Sequence, residues 1–156
     1  MDILKTTRTT VVLDGKITRE KTMNLVDDST CFVCGKDNNN GLQLDIKMDK
    51  ESGTAWAETV IDERFCGWTG VVHGGIVSSL LDELMAYAAF TVYKSGVTGE
   101  MTVKFKKPVP TGKKIRIEGK IESNKGRIIF TSAKILFEDA VMAESSGKMV
   151  MIKKTI

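Results

Sequence analysis

The sequence predicts an α+β fold in which one long helix lies against an antiparallel sheet. One strongly helical segment follows a glycine-rich stretch, a strand hairpin precedes it, and four strand-like segments come after it in succession. Because strands and helices do not alternate, a doubly wound parallel sheet is excluded. The apolar stripe of the helix is wide, so a curved sheet wrapped around it would bury more of it than a flat sheet.

The chain is long enough for one domain with its own hydrophobic core. It has 156 residues, 42% of them hydrophobic and 28% charged, with a formal net charge of +3. A chain of this length buries about 70% of the surface of its unfolded state. Three cysteines do not suit a disulfide framework, so we expect a reducing, cytoplasmic setting. The polar first ten residues give no secretory signal, and acidic residues interrupt the apolar stretch 75–93, which argues against a membrane span.

The N-terminal part of the predicted domain is the least regular. Residues 1–30 are interpreted as an extension, in which Thr9–Leu13 fit a strand that turns at Asp14 and Gly15 and residues 17–26 fit a strand or a helix. Residues 31–156 form the single domain. Its first hairpin is predicted from apolar alternation over Leu42–Met48, a turn at residues 52–53 and a strand over Thr54–Ile61.

The long helix is predicted from apolar residues that recur at three- and four-residue intervals over about five turns. They are Val77, Leu80, Leu81, Leu84, Met85, Ala88, Ala89 and Val92. Four runs rich in β-branched and aromatic residues then predict strands, and short turn sequences separate them. These runs are Val97–Lys107, Lys113–Ser123, Arg127–Phe137 and Val141–Ile152.

The segment His73-Gly74-Gly75 leads into this helix and contains the single histidine of the chain. Two glycines leave an uncrowded helix start, where free N–H groups and the positive end of the helix dipole can meet an oxyanion or a polarised carbonyl. A tight turn that needs glycine only for steric reasons would have the same sequence. His73 is interpreted as a residue that orients this loop, with assistance to a leaving group as the alternative.

The position of Asp82 favours a functional interpretation. Helical geometry places Gly75, Ser78 and Asp82 along one line of the helix, with Asp82 at the border of the apolar stripe and Glu83 facing water. A carboxylate at such a border can act as a general base toward water or as a nucleophile. The alternative is an ordinary solvated helix acid.

The cysteine spacing Cys31-x-x-Cys34 has the form of a zinc knuckle, which Cys66 and His73 could complete. A second knuckle is absent, and that completion would remove His73 from the helix start. We therefore expect no metal, and free, partly buried cysteines.

Basic residues are concentrated in one region of the chain. Residues 101–127 hold nine basic residues against two acidic ones, which fits either an anionic partner or solvated strand faces with alternating lysines. Few aromatic residues accompany them, which argues against nucleic acid. No Walker loop or dinucleotide fingerprint is present, so neither ATP nor NAD is implied.

The ordered set of motifs resembles the hotdog-fold acyl-CoA thioesterases, in particular the branch that includes the phenylacetate-pathway enzymes. The resemblance covers residues 31–152. It rests on Cys31-Phe32-Val33-Cys34-Gly35, Gly41-Leu42, the stretch Gly67–Gly75, Leu80–Met85, Thr98 and the strand end Lys104–Pro110. In some relatives an asparagine stands six residues before the histidine, where this chain has Gly67.

The resemblance implies a long central helix wrapped by a curved antiparallel sheet. It further implies homodimers that pair their sheets edge to edge, or dimers of dimers, with active sites at the dimer interface. The implied reaction is hydrolysis of an acyl-CoA thioester without metal or organic cofactor. A non-catalytic acyl-CoA-binding or sensing module on the same fold is the alternative, and an interaction protein that uses the basic strands is a third.

The resemblance also implies roles for individual residues. Asp82 would be the base or nucleophile, and the Gly75 N–H would polarise the thioester carbonyl. His73 and Gly74 would shape the site entrance. The substrate would be lined by Thr98 from the strand side and Ser78 from the helix side. Basic residues such as Lys104, Lys106, Lys107, Arg116 and Arg127 are candidates for contacts with the phosphates of CoA. The Cys-x-x-Cys-Gly element is not ordinarily a metal site in this family.

Overall fold

The computed structural model describes residues 8–13, 16–21 and 29–152. The first two strands, β1 (Arg8–Leu13) and β2 (Lys16–Lys21), pair antiparallel. The strand alternative therefore holds for residues 17–21. The turn predicted at Asp14 and Gly15 lies outside the described residues, as do residues 22–28.

The body of the fold is a six-stranded, fully antiparallel sheet with one helix on one face. In chain order its elements are β3 (Lys47–Asp49), β4 (Thr54–Val60), a 3-10 turn (Glu63–Phe65), the short hairpin of β5 (Cys66–Trp68) and β6 (Val71–Val72), α1 (Gly74–Phe90), β7 (Gly96–Phe105), β8 (Lys114–Lys125), β9 (Ile128–Phe137) and β10 (Ala140–Met151). The strand order in the sheet is β3-β4-β8-β9-β10-β7. The long strand β7 therefore lies at one edge.

The helix supplies the centre of the core. Its buried residues are Val77, Leu80, Leu81, Leu84, Met85, Ala88 and Ala89, as the periodicity predicts. It contacts β4, β7, β8, β9 and β10, which requires the sheet to curve around it. The closest approach is at Gly119, where a Cβ atom would lie 2.2 Å from the carbonyl oxygen of Leu84. The predicted fold, one long helix wrapped by an antiparallel sheet, is confirmed. Within the described part of the chain, no helix combines the length and the apolar character needed to cross a bilayer.

Two boundaries differ from the sequence prediction. The first strand of the hairpin begins at Lys47 rather than at Leu42, because the N–H groups of Leu42 and Leu44 donate to the carbonyls of residues 32 and 33 instead of a strand partner. A positive φ of 47° at Gln43 also interrupts the extended backbone there. The helix ends at Phe90, so Val92 is 51% exposed instead of continuing the apolar stripe.

Candidate active site at the helix start and the edge strand

His73 is the N-cap of α1, and its side chain engages the first turn of the helix. The Nδ1 atom of His73 accepts a hydrogen bond from the Gly75 N–H at 2.9 Å, and the His73 carbonyl accepts from Ile76 and Val77. The bonds from Gly75 and Ile76 satisfy two of the donors that a helix start leaves without i→i−4 partners, and the bond from Val77 is the first regular bond of the helix. The orienting role expected for His73 thus has a structural counterpart, since its imidazole holds the first turn.

The Gly75 N–H is therefore already bonded within the chain. Its proposed role toward a substrate carbonyl stays a prediction, and it requires the His73 imidazole to turn away or to share the donor. Gly74 is the first-turn residue whose N–H the His73 cap does not engage. The Phe105 ring lies over Gly74, 3.6 Å from where a Cβ atom would stand. An apolar ring thus borders the helix start, a contact that the sequence pattern did not indicate.

Gly67 explains how His73 fits into this position. A Cβ atom at Gly67 would lie 3.3 Å from both the Cα and the Cδ2 atoms of His73, which is tighter than ordinary van der Waals contact. Any larger side chain, such as the asparagine of some relatives, would require His73 to shift by a few tenths of an ångström. The glycine is therefore matched to the capping position of the histidine in this chain.

Asp82 lies two turns further along α1 and is bonded to the edge strand. The Thr98 hydroxyl donates to Asp82 Oδ1 at 2.6 Å, so the structure brings together two residues that the sequence assigned to the same site. A hydrogen bond to a carboxylate is among the stronger ones in proteins, and it fixes the orientation of the acid. Asp82 is half-buried and Thr98 is exposed, which leaves the pair accessible from one side.

Ser78 lies between these two regions but is tied to its own helix. Its hydroxyl donates to the Gly74 carbonyl at 2.9 Å. This is the back-bonding that serines commonly make inside helices. With its proton committed, Ser78 can offer a substrate only the lone pairs of its oxygen.

The prediction that Glu83 faces water is wrong. It is half-buried, and its Oε1 atom accepts from the Cys31 thiol at 3.8 Å. One sulfur atom each of Cys31 and Cys34 and one carboxylate oxygen of Glu83 lie within 4.8 Å of one another. The prediction failed because helix periodicity cannot show that the loop at residues 31–35 covers this face of α1. Neither Cys66 nor His73 belongs to this cluster, so the ligand set weighed from the sequence is not assembled.

The basic strands form an ion-pair network on the outer face of the sheet, away from α1. Its members are Lys106–Glu144, Lys114–Glu58, Arg116–Glu58, Arg116–Glu118, Lys120–Glu122 and Lys134–Glu118. A groove of about 690 Å³ crosses this face, and neither Asp82 nor His73 lines it. The paired charges favour the interpretation of solvated strand faces for β8 and β9.

Comparison with known proteins identifies the family of the chain. A family model described as "Thioesterase superfamily" matches residues 69–143, a stretch that contains Gly75, Asp82 and Thr98. The protein named "Putative esterase SSO2140" of Saccharolobus solfataricus is 36% identical over 100 residues, which cover 62% of this chain and 69% of that protein. The chain belongs to the thioesterase superfamily.

Further similar proteins extend the comparison. The acyl-coenzyme A thioesterase THEM4 of Xenopus laevis is 31% identical over 87 residues, 56% of this chain and 39% of that protein. The matched stretches span about two-fifths of the first three curated relatives, at 39%, 37% and 42% of their lengths. The structure of the Escherichia coli PaaI protein from the phenylacetic acid degradation operon superposes with a TM-score of 0.67 at 23% identity, covering 73% of this chain and 83% of that one. The resemblance to hotdog thioesterases is thus confirmed for family and fold.

Proposed function

We propose that this protein hydrolyses acyl-CoA thioesters to a free acid and CoA, with Asp82 as the general base or nucleophile. The observation that carries the proposal is the Asp82 carboxylate, oriented by the Thr98 hydroxyl at 2.6 Å and accessible on one side. Acyl-CoA as the substrate class is supported by the 31% identity to an acyl-coenzyme A thioesterase. Asp82 either takes a proton from a water molecule that attacks the carbonyl carbon, or attacks that carbon itself to form an acyl anhydride that water then hydrolyses. In both routes the C–S bond breaks, and the CoA thiolate leaves and takes up a proton.

The helix start is the candidate for polarising the thioester carbonyl. Gly74 and Gly75 carry N–H groups at the positive end of α1, where negative charge on a carbonyl oxygen would be stabilised. His73 Nδ1 now accepts from Gly75, so it would be displaced by the stronger charge of the developing oxyanion. The apolar ring of Phe105 beside Gly74 offers a surface for the acyl group.

A single protomer does not bring these groups together. Gly75 and Asp82 are seven residues apart on one helix, which separates them by about 10 Å along its axis. A carbonyl held by an N–H at about 3 Å and attacked from about 3 Å spans at most about 7 Å. Asp82 of one copy would therefore act with Gly75 of a second copy.

The edge strand β7 provides a route to such a pairing. Thr98, near its start, contacts Asp82, and Phe105, at its end, lies over Gly74. Two copies of β7 that paired antiparallel around a twofold axis would place the Thr98 end of one beside the Phe105 end of the other. Unpaired edge strands are templates for such association, and Val97 and Phe105 are exposed on this one at 44% and 59%. The proposed homodimer thus completes two sites.

The reaction is tested with thiol release from short, long and aromatic acyl-CoAs. We expect turnover in the wild type and a fall of about 100-fold or more in Asp82→Asn, which keeps the size of the side chain and removes the base. The matched control is Asp139→Asn, in the exposed turn between β9 and β10, which should keep wild-type rates. Tight acyl-CoA binding without turnover in the wild type would contradict the proposed hydrolysis and would support the non-catalytic acyl-CoA-binding module instead.

The shared site is tested by mixing two inactive variants. Gly75→Pro removes the N–H of the second residue of α1, and Asp82→Asn removes the base. If each site uses one residue from each copy, random reassociation makes half of the dimers mixed, each with one intact site, and restores about a quarter of the activity. If each site lies within one protomer, the mixture stays inactive.

A further inference from the structure

The loop at residues 31–35 and helix α1 together hold a cluster with no part in the proposed hydrolysis. Two sulfur atoms, of Cys31 and Cys34, and one carboxylate oxygen of Glu83 lie within 4.8 Å of one another. The Cys31 Sγ and Glu83 Oε1 atoms are 3.8 Å apart. Glu83 directly follows Asp82, but its position on the helix turns it toward this loop.

Backbone hydrogen bonds and a glycine fix the turn that carries the two cysteines. The Gly35 N–H donates to the Cys31 carbonyl at 2.9 Å, which closes a tight turn across the two cysteines. A Cβ atom at Gly35 would lie 2.4 Å from the Cys31 nitrogen, so only glycine fits there without a shift of the turn. The Val33 N–H donates to Cys31 Sγ at 3.4 Å and so helps to fix the position of that sulfur atom.

A second donor reaches the other sulfur from the helix. The Tyr87 hydroxyl donates to Cys34 Sγ at 3.3 Å, and Tyr87 lies one turn after Glu83 on the same face of α1. Both sulfur atoms therefore have a hydrogen-bond donor outside the cluster. Such outer contacts orient the ligands of a metal and adjust their charge.

We propose that Cys31, Cys34 and Glu83 bind a Zn²⁺ ion, with water as the fourth ligand. Tetrahedral zinc with bonds of about 2.3 Å to sulfur and 2.1 Å to oxygen places two sulfur ligands about 3.8 Å apart and sulfur and oxygen about 3.6 Å apart. The 3.8 Å between Cys31 and Glu83 is already close to that separation. Each thiol gives its proton to solvent as its sulfur binds, so metal uptake releases two protons. The soft thiolates select zinc over magnesium or calcium.

The ion would join the loop to α1, next to Asp82 in sequence but on another face of the helix. We expected no metal from the sequence because a second knuckle is absent and because completion by Cys66 and His73 would remove His73 from the helix start. The fold instead brings Glu83 to the two cysteines. Hydrolysis itself needs no metal in this arrangement, so the two proposals can fail separately.

The test uses the full chain, stripped of metal and kept reduced, and titrated with Zn²⁺ or with Co²⁺ as a coloured substitute. We expect one ion per chain, a thiolate-to-cobalt charge-transfer band, and two of the three thiols protected from a thiol reagent. Cys34→Ser and Glu83→Gln should weaken binding by more than the roughly 10- to 100-fold that loss of an outer partner costs. The matched control Cys66→Ser, at an exposed cysteine outside the cluster, should bind like the wild type.

Thermal unfolding gives a second readout that does not depend on activity. Zn²⁺ should raise the Tm of the wild type and of Cys66→Ser, and leave that of Cys34→Ser unchanged. The Glu83→Gln variant keeps both thiols, so it tests the site even if Cys34→Ser folds poorly. The proposal is overturned if the wild type takes up less than one ion per chain, if Cys66→Ser loses the metal, or if Cys31 and Cys34 form a disulfide that leaves zinc binding unaffected.

Discussion

The hydrogen bond between Thr98 and Asp82 gives a sharp test of how the acid is positioned. Thr98→Val replaces the hydroxyl by a methyl group of nearly the same shape and removes the 2.6 Å donor to Asp82 Oδ1. A hydrogen bond to a charged group contributes about 1.5 to 3 kcal/mol, and the exposure of Thr98 favours the low end. About 1.5 kcal/mol of lost transition-state stabilisation corresponds to roughly a tenfold lower kcat/KM.

The assay is thiol release from the best acyl-CoA substrate, with stability measured in parallel. Valine suits an exposed strand position, so the free energy of unfolding of Thr98→Val should stay within about 0.5 kcal/mol of the wild type. Thr98→Ser keeps the hydroxyl and should retain nearly full activity. Unchanged turnover in Thr98→Val, or an equal loss in Thr98→Ser, would show that this hydrogen bond does not position the acid.

Two further predictions concern packing and charge. Gly119→Ala should lower the free energy of unfolding by about 3 kcal/mol in urea titrations, because its Cβ would overlap the Leu84 carbonyl. The control Gly112→Ala has a φ of 66° but open space around it, so it should lower the free energy of unfolding by only about 1 kcal/mol. Equal losses in the two variants would contradict the close contact at Gly119. Arg116 and Lys134 hold the pKa of Glu118 below its usual value. That stabilisation is present above the ordinary glutamate pKa and is lost as the pH falls through the lower folded value. Glu118→Gln should therefore lose less stability than the wild type between about pH 5 and pH 3, and a parallel decline in both proteins would refute this.

The strands and the helix could be predicted because their signals are local. Apolar residues recur along α1 at intervals set by the 3.6-residue period, and their burial follows from that period alone. The four strands after the helix were likewise predicted, with ends within two residues of those observed. The order of these elements excluded a parallel sheet. At residues 42–46 the apolar alternation predicted a strand, but the N–H groups of Leu42 and Leu44 donate to the carbonyls of residues 32 and 33 instead.

The candidate site was only partly predictable. The spacing of Gly75, Ser78 and Asp82 placed them along one line of the helix, with His73 just ahead of its start. The resemblance to the thioesterases added Thr98. That Thr98 donates to Asp82 depends on β7 lying at the sheet edge beside the helix, which no local pattern states. That His73 already occupies the Gly75 N–H depends on a side-chain rotamer and on the space left by Gly67.

The sequence by itself determined the elements, their order and the residues along each face of the helix, because periodicity and turn chemistry act over a few neighbours. Only the tertiary structure decided which of those faces meet other parts of the chain. Asp82 and Glu83 are adjacent acids, yet they face different partners. Asp82 contacts Thr98 of β7 and is a candidate base, whereas Glu83 lies beside the cysteines of the loop at residues 31–35 and is a candidate metal ligand. The Asp82–Thr98 contact joins residues that are 16 positions apart in the chain, and the Glu83–Cys31 contact joins residues that are 52 positions apart. Both depend on how the rest of the chain packs around the helix, which is a property of the whole fold.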